Sequence, residues 1–230
     1  RPDKGSPCRL SVALMGGHNA QNHNHNDVGT YMVVVERTAV LTDIGAEVYT
    51  QRTFSGRRYE SKALNSWGHP VPVIGGHLQR SGRDAEAKVL NTEFTPERDR
   101  ISMDIRSAYG LPEIRKLERS FEYDRTGAGR FVVTDSFVFD KPTTYETALL
   151  TFGSWEKTGL NTVTVRDGRQ AVRVTIHMPA GVTPVLSAEE VREDLTARRK
   201  ATRIGIGASQ PLTAGEVSLT IEPEIPEAKQ

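Results

Sequence analysis

The sequence predicts an all-β protein, a large antiparallel β-sandwich of supersandwich-like size with few or no helices. Short runs of alternating or β-branched residues recur along the chain, and segments with turn chemistry separate them. The pair Asp167-Gly168 is a strong hairpin signal of this kind. At 230 residues the chain can form one sandwich of this class. We therefore expect one β-sandwich domain over residues 1–221 and a fraying tail over 222–230.

The strands follow from these runs in order along the chain. Residues 31–36 and 39–42 predict a hairpin that turns at Arg37-Thr38. Further strands are expected over residues 9–15, 85–90, 93–95, 100–105, 117–123, 131–139, 146–152, 162–166, 171–178 and 216–221. One helix is predicted over 187–200, with Ser187 as its cap and Glu190 three residues later, and an exposed polar hairpin is the alternative there.

Composition excludes several classes of function. The 30 basic and 29 acidic residues give a net charge of +1, which is too little positive field for a nucleic-acid-binding protein. Cys8 is the single cysteine, so an intrachain disulfide and a thiolate metal cluster are both excluded. No apolar stretch approaches the roughly 20 residues of a membrane span, and the amino terminus lacks a signal-peptide core. We expect a soluble chain that begins inside a longer precursor.

The stretch Asn22-His23-Asn24-His25-Asn26-Asp27-Val28-Gly29 carries the strongest chemical signal, and we call it the His-rich segment. In an extended strand His23 and His25 project from the same face. Asp43 and His69 follow later in the chain. Together these residues form a dispersed His/Asp set of the type that binds zinc.

This metal hypothesis requires a bend in the chain. A straight strand beyond the hairpin would leave His25 about seven residues, on the order of 23 Å, from Asp43. Gly29 permits a bulge or a reversal. We therefore expect a bend between Asp27 and Gly29.

The order and spacing of several blocks resemble the carboxy-terminal β-sandwich domain of the heparinase II/III-like polysaccharide lyases. These blocks are the His-rich segment, Thr42-Asp43-Ile44-Gly45, Tyr49-Thr50, Thr53-Phe54, Arg58-Tyr59-Glu60, Asn65-Ser66, Gly68-His69-Pro70-Val71-Pro72, Gly76 and Gln79, with weaker similarity at Arg119 and Asp135-Ser136-Phe137. In that family a helical toroid precedes the sandwich, and the active site lies between the two. This chain contains no toroid.

The resemblance implies a zinc site formed by His25, Asp43 and His69. Two imidazoles and a carboxylate suit zinc, with water or a further protein oxygen as the fourth ligand. Asn26 and Asp27 are expected to orient these ligands. Because the family's chemistry does not take place on the metal, the zinc is expected to be structural.

The resemblance also implies cleavage of a uronic-acid-containing polysaccharide by β-elimination. His23 is the expected catalytic residue on this side of the cleft, and Tyr59 is a second candidate for proton transfer. Asn22, Asn24 and Arg58 are the expected substrate-binding residues. Since the family's main base lies in the toroid, this chain alone is expected to be inactive. The parent protein is expected to be bacterial and periplasmic or secreted.

Other interpretations compete for the same residues. Gly17 with His23 and His25 resembles the start of a cupin metal motif, with His77 as a later ligand, but the glutamate of that motif is missing. A non-catalytic carbohydrate-binding or structural zinc module is the second alternative. The polar side chains could also merely satisfy turns, Tyr59 could simply pack, and tryptophans such as Trp67 and Trp155 belong to sandwich cores more often than to sugar sites.

Overall fold

A computed structural model describes residues 2–224 of the chain. Within them, seventeen strands account for nearly all regular structure. The strands are β1 (Leu10–Leu14), β2 (His18–Asn19), β3 (Tyr31–Val35), β4 (Thr38–Leu41), β5 (Val73–Ile74), β6 (Gly82–Glu86), β7 (Lys88–Phe94), β8 (Arg98–Asp104), β9 (Ile114–Asp124), β10 (Arg130–Thr143), β11 (Tyr145–Thr151), β12 (Ser154–Lys157), β13 (Thr162–Asp167), β14 (Gln170–His177), β15 (Pro184–Glu190), β16 (Thr202–Ala208) and β17 (Leu212–Pro223). Four single-turn 3-10 helices occur at Arg52–Phe54, Arg58–Glu60, Ser66–Gly68 and Arg106–Ala108.

The strands form four antiparallel sheets. The largest has eight strands in the order β12-β13-β14-β17-β10-β9-β8-β7. A three-stranded sheet, β1-β3-β4, and a four-stranded sheet, β15-β16-β11-β5, meet side by side, because the Thr42 amide donates to the Leu150 carbonyl and the Thr151 hydroxyl to the Val40 carbonyl. A short pair, β2-β6, completes the set. The predicted antiparallel all-β architecture is confirmed.

The main core lies between the large sheet and the two smaller ones. Along β9 and β10 every second residue is buried, as the period of two of a strand with one buried face requires. Tyr31 of β3 packs edge-on against Phe121 and Phe131, with ring centroids 6.2 and 5.6 Å away. These contacts join the layers into one apolar cluster.

A second, smaller core lies behind the four-stranded sheet. Ala148 and Leu150 of β11 are buried there, while Leu149 of the same strand faces the main core. Residues 42–80, which we call the site segment, cover this cluster through Ile44 and Ala63. Because β11 is buried on both faces, the site segment has a fixed apolar support.

The predicted helix over 187–200 is wrong. Residues 184–190 form β15 and pair with β16, with Ser187 opposite Gly205 and Glu190 opposite Thr202. Residues 191–200 then form a loop that buries Val191 and Leu195 in the second core. Long-range pairing with β16, which the sequence prediction missed together with β12, overrides the local helical preference of this segment.

Other boundaries shift by a few residues. The first hairpin turns at Glu36-Arg37, since Val35 pairs with Thr38. The expected break between residues 90 and 93 occurs instead at Ala87, between β6 and β7. Strand β17 continues to Pro223 and so takes in the start of the predicted tail, of which residues 225–230 lie outside the described residues. No helix within residues 2–224 has the length and apolar character needed to cross a membrane.

A buried ion pair joins the large sheet to the site segment. Arg119 and Asp135, on neighbouring strands, are 0% and 3% exposed and form a bidentate pair with distances of 2.7 and 2.6 Å. Arg119 Nη1 also donates to the carbonyls of Gly29, at 3.0 Å, and Pro70, at 2.7 Å. The Arg119 side chain therefore fixes one residue beside each part of the chain that carries a predicted histidine ligand.

Substitution of Arg119→Leu should destabilise the protein by about 3–5 kcal/mol, because the Asp135 carboxylate would stay buried without its partner. The measurement is urea unfolding followed by circular dichroism. The matched control is Arg115→Leu, whose pair with Asp140 is 64% and 42% exposed and should contribute less than about 1 kcal/mol. Equal losses in the two variants would contradict this role of the buried pair.

Candidate functional site

The His-rich segment is a turn followed by a bend. The Asn24 amide donates to the Gln21 carbonyl, and His23 has a positive φ of 59°, which is uncommon outside glycine. The expected extended conformation, with His23 and His25 on one face, is therefore wrong. His25 is partly buried and points toward the site segment, whereas His23 is exposed.

The predicted bend lies where the metal hypothesis required it. The Thr30 amide donates to the Asp27 carbonyl at 2.9 Å, and Gly29 has φ of 86°, a combination typical of a type II turn. A side chain at Gly29 would meet Arg119 Cδ at 3.3 Å. Glycine is required here both for the backbone conformation and for the approach of Arg119.

Gln79 holds the bend in place. Its side-chain Oε1 accepts hydrogen bonds from the Val28 amide and the Asn19 side chain, and its Nε2 donates to the Val28 carbonyl. The Asn26 side chain donates to the Gln79 carbonyl, and the Asn19 side-chain oxygen accepts from the Asp27 amide. These contacts explain why Gln79 and Asn19 are buried, and they support the structural use expected for Gln79.

A short 3-10 turn positions His69. The Asn65 side chain caps this turn by accepting from the Trp67 amide at 2.9 Å. Any Cβ at Gly68 would lie 2.1 Å from the Lys62 carbonyl oxygen, so only glycine fits there. His69 follows directly and is fully buried.

These two parts of the chain bring three possible metal ligands together. One ligand atom each from His25, Asp27 and His69 lies within 4.8 Å of the others. The rings of His25 and His69 are 5.3 Å apart between centroids. Two ligand atoms on one zinc ion are at most about 4.2 Å apart, so a small side-chain adjustment would complete a site.

Asp43 lies on the other side of His69. Its Oδ2 is 2.9 Å from His69 Nδ1, and its Oδ1 accepts from the Gly45 amide. The structure thus places Asp27, expected only to orient ligands, among the ligand atoms, and places Asp43 against the ring of His69. The signal for Asp27 in the sequence was its position two residues after His25 in a segment that had to bend.

The charges of this cluster divide between its members. Burial, together with the nearby His69, lowers the pKa of His25 to about 4, so this imidazole is neutral at pH 7, as a metal ligand must be. Burial raises the pKa of Asp27 to about 6, although His69 acts in the opposite direction.

Asp43 and His69 stabilise each other's charged forms. Burial alone would raise the pKa of Asp43, but the attraction and hydrogen bond of His69 lower it to about 2. Burial alone would lower the pKa of His69, but the Asp43 carboxylate raises it.

The donor set fits a metal ion in one further respect. His69 Nε2 is buried and has no hydrogen-bond partner among the described residues. A buried imidazole nitrogen of this kind is costly unless something binds it. Two imidazoles with one or two carboxylates are a normal ligand set for zinc.

The remaining predicted site residues surround His23. Tyr59 lies with its hydroxyl 3.4 Å from the Asn24 side-chain nitrogen. Arg58 donates to the Asn24 carbonyl at 2.8 and 3.1 Å and to the Thr53 carbonyl, so its guanidinium supports the backbone. Asn22 is exposed. Sequence reasoning missed Tyr49, whose hydroxyl is 3.3 Å from His23 Nδ1.

Residues outside this cluster have plainer roles. His77 is exposed on a tight turn in which its amide donates to the Ile74 carbonyl, away from the metal-ligand group, so the cupin alternative finds no support. Trp67 packs on the second core and Trp155 on the main core, as expected for sandwich tryptophans.

Comparison with solved structures identifies the architecture. A heparinase III gene product matches with a TM-score of 0.74 and 14% identity over 93% of this chain and 32% of that chain. The fold is that of heparinase III. A mutant of heparan sulfate lyase HepC from Pedobacter heparinus matches with a TM-score of 0.73 and 14% identity over 96% of this chain and 34% of that chain. A further heparinase III structure gives 0.67 and 16%, over 94% and 34%.

The match lies in the carboxy-terminal domain of those structures, as the resemblance of the sequence implied. The chain spans about a third of the length of the heparinase III structures it matches. No protein-family model matches the sequence, and a search of curated proteins finds no match.

Substitution of Gly29→Ala should destabilise the protein by about 2–4 kcal/mol, since it combines a positive φ with crowding against Arg119. Gly127→Ala is the control, because Gly127 also has a positive φ but no atom within 4 Å of an added Cβ. It should cost only about 1–2 kcal/mol. Urea unfolding of both variants measures the difference, and no excess loss at Gly29 would show that Arg119 can give way.

Proposed function

We propose that this chain is the β-sandwich part of a lyase that cleaves uronic-acid-containing polysaccharide by β-elimination. It would contribute a zinc site and one side of the substrate cleft. The observation that carries the proposal is the convergence of His25, Asp27 and His69 within a heparinase III fold. The acidic polysaccharide and the remainder of the parent protein are its proposed partners, and a periplasmic or secreted location suits such a substrate.

The proposed zinc is held by His25 and His69, with Asp27 in the position of a carboxylate ligand. Asp43 fixes the ring of His69 through Nδ1, as carboxylates commonly do beside metal-bound histidines. When bound, the ion would act structurally, tying the His-rich segment to the site segment. Its effect on the reaction would be to keep His23 in place.

His23 is the proposed catalytic residue of this chain. Elimination from a uronate requires neutralisation of the carboxylate, removal of the neighbouring proton and protonation of the leaving oxygen. An exposed imidazole can donate a hydrogen bond to the developing enediolate or take part in the proton transfer. Asn24 and Tyr59 lie beside it, and Asn22 and Arg58 complete the proposed contacts with substrate. The main base is assigned to the helical part of the parent protein.

Zinc binding tests the metal part of this proposal. His25→Ala and His69→Ala should abolish binding measured by calorimetry on chelator-treated protein, whereas His77→Ala should bind like the wild type. Retention of zinc by both of the first two variants would refute the site.

The carboxylate ligand can be assigned by a matched pair of substitutions. Asp27→Asn should weaken zinc binding by more than the about 10–100-fold expected for loss of an orienting group, and Asp43→Asn should fall within that range. The opposite order would give the ligand position to Asp43, as the family resemblance implies.

Elimination activity tests the catalytic part. The 230-residue chain should release no unsaturated uronate from heparan sulfate or alginate, followed by ultraviolet absorbance, whereas the parent protein that contains it should. In the parent, His23→Ala should lower kcat by about 10²–10⁴-fold, the usual contribution of a general acid or base, and His177→Ala should not. If the parent protein and the isolated chain both lack activity but bind zinc, the non-catalytic module is the correct alternative.

A further inference from the structure

Three aromatic rings meet on the surface beside the candidate site. The rings of His23 and Tyr49 are stacked at 6.0 Å with planes only 3° apart, and Phe54 meets Tyr49 edge-on at 5.3 Å. Phe54 is 70% exposed and Tyr49 is 44% exposed. Single exposed aromatics are common, but a contiguous exposed set marks a binding surface more often. We call these three rings the aromatic platform.

A buried carboxylate holds the loop that carries Tyr49 and Phe54. Glu47 is 2% exposed and accepts hydrogen bonds from Arg52 at 2.6 Å, Thr53 at 2.9 Å and Ser61 at 2.6 Å. These charge-assisted bonds lower the pKa of Glu47 despite its burial. The loop is therefore anchored at its base while its aromatic side chains face solvent.

The backbone on both sides of Tyr49 is also fixed. The Val48 amide donates to the Asp194 carbonyl at 2.6 Å, and the Thr50 amide donates to the Thr53 hydroxyl at 2.9 Å. A rigid loop loses little conformational entropy when a ligand binds. The aromatic platform is therefore a preorganised surface.

The conformation of His23 adds a second, independent indication. Its positive φ is a strained backbone conformation for this residue, and such strain concentrates at functional sites. This conformation directs the imidazole onto Tyr49, whose hydroxyl lies 3.3 Å from Nδ1. Tyr49 thereby fixes the orientation of the imidazole.

We propose that Tyr49 and Phe54 form a stacking subsite for one pyranose ring of an acidic glycan, directly beside His23. The inference rests on the proposed function and deepens it by naming the residues that hold the sugar. The face of an aromatic ring is electronegative, so it attracts the polarised C–H groups on the flat side of a sugar. Tyr49 acts in addition as a positioning residue for His23.

The chain offers a closely matched control for this proposal. Phe94 on the edge strand β7 is 69% exposed, nearly the same as Phe54, but it belongs to a different surface. Phe54→Ala and Phe94→Ala therefore remove the same exposed ring at two places. Phe54→Tyr keeps a ring at the platform.

The experiment is calorimetric titration of the 230-residue chain with hexasaccharides of heparan sulfate and alginate, and with cellohexaose as the uncharged probe. We expect the chain to bind an acidic hexasaccharide and Phe54→Ala to weaken that binding roughly five- to tenfold, the equivalent of losing one aromatic contact. Phe54→Tyr and Phe94→Ala should bind within about twofold of the wild type, a factor that corresponds to well under 1.4 kcal/mol.

Unchanged binding by Phe54→Ala, or no binding of any hexasaccharide by the wild type, would overturn the subsite. Neither result would affect zinc binding or elimination by the parent protein, so the proposed function would stand separately. Conversely, a parent protein without elimination activity, together with weakened binding by Phe54→Ala, would leave a sugar-binding surface and remove the lyase.

The positioning role of Tyr49 has its own readout in the parent protein. Tyr49→Phe keeps the stacked ring but removes the hydroxyl at His23 Nδ1. It should lower kcat with little change in KM and alter the pH profile of kcat, whereas Phe54→Ala should mainly raise KM. A Tyr49→Phe variant with the wild-type kcat and pH profile would exclude this role.

Discussion

The buried pair of Arg119 and Asp135 is the constraint on which the site depends. Its five donor hydrogens are all used, on the Asp135 carboxylate, the carbonyls of Gly29 and Pro70, and the Thr147 hydroxyl. A charge buried this deeply is tolerated only when it is paired and fully hydrogen-bonded. The arginine must therefore hold the bend after His25 and the turn after His69 at fixed positions on the large sheet.

The local chemistry of the cluster follows from this placement. Two imidazoles forced together in a buried space cannot both carry a proton, so His25 loses its proton while His69 shares a charge with Asp43. The same burial raises the pKa of Asp27. These neighbours hold a neutral nitrogen and two carboxylates around the space in which a cation would be bound.

The sequence and the structure agree best where a signal was local and repeated. Strands β9, β10, β13 and β14 were predicted from alternation, and the Asp167-Gly168 hairpin from its turn residues, with Gly168 and Arg169 as the central pair. The helix over 187–200 was wrong because its alternative, pairing with β16, depends on a strand that follows in the chain and contains two glycines. The geometry at His23 was wrong because a strained backbone cannot be read from a run of polar residues.

The sequence by itself determined the antiparallel β class, the need for a bend near Gly29, and the residue types that gather at the candidate site. Only the tertiary structure decided that Asp27 lies beside His25 and His69, that Asp43 lies against His69, and that Tyr49 lies on His23. The physical reason is that spacing along a strand fixes which face a side chain occupies, whereas contact between residues far apart in the chain depends on how the layers pack. In this protein that packing is set by an arginine more than ninety residues beyond the His-rich segment.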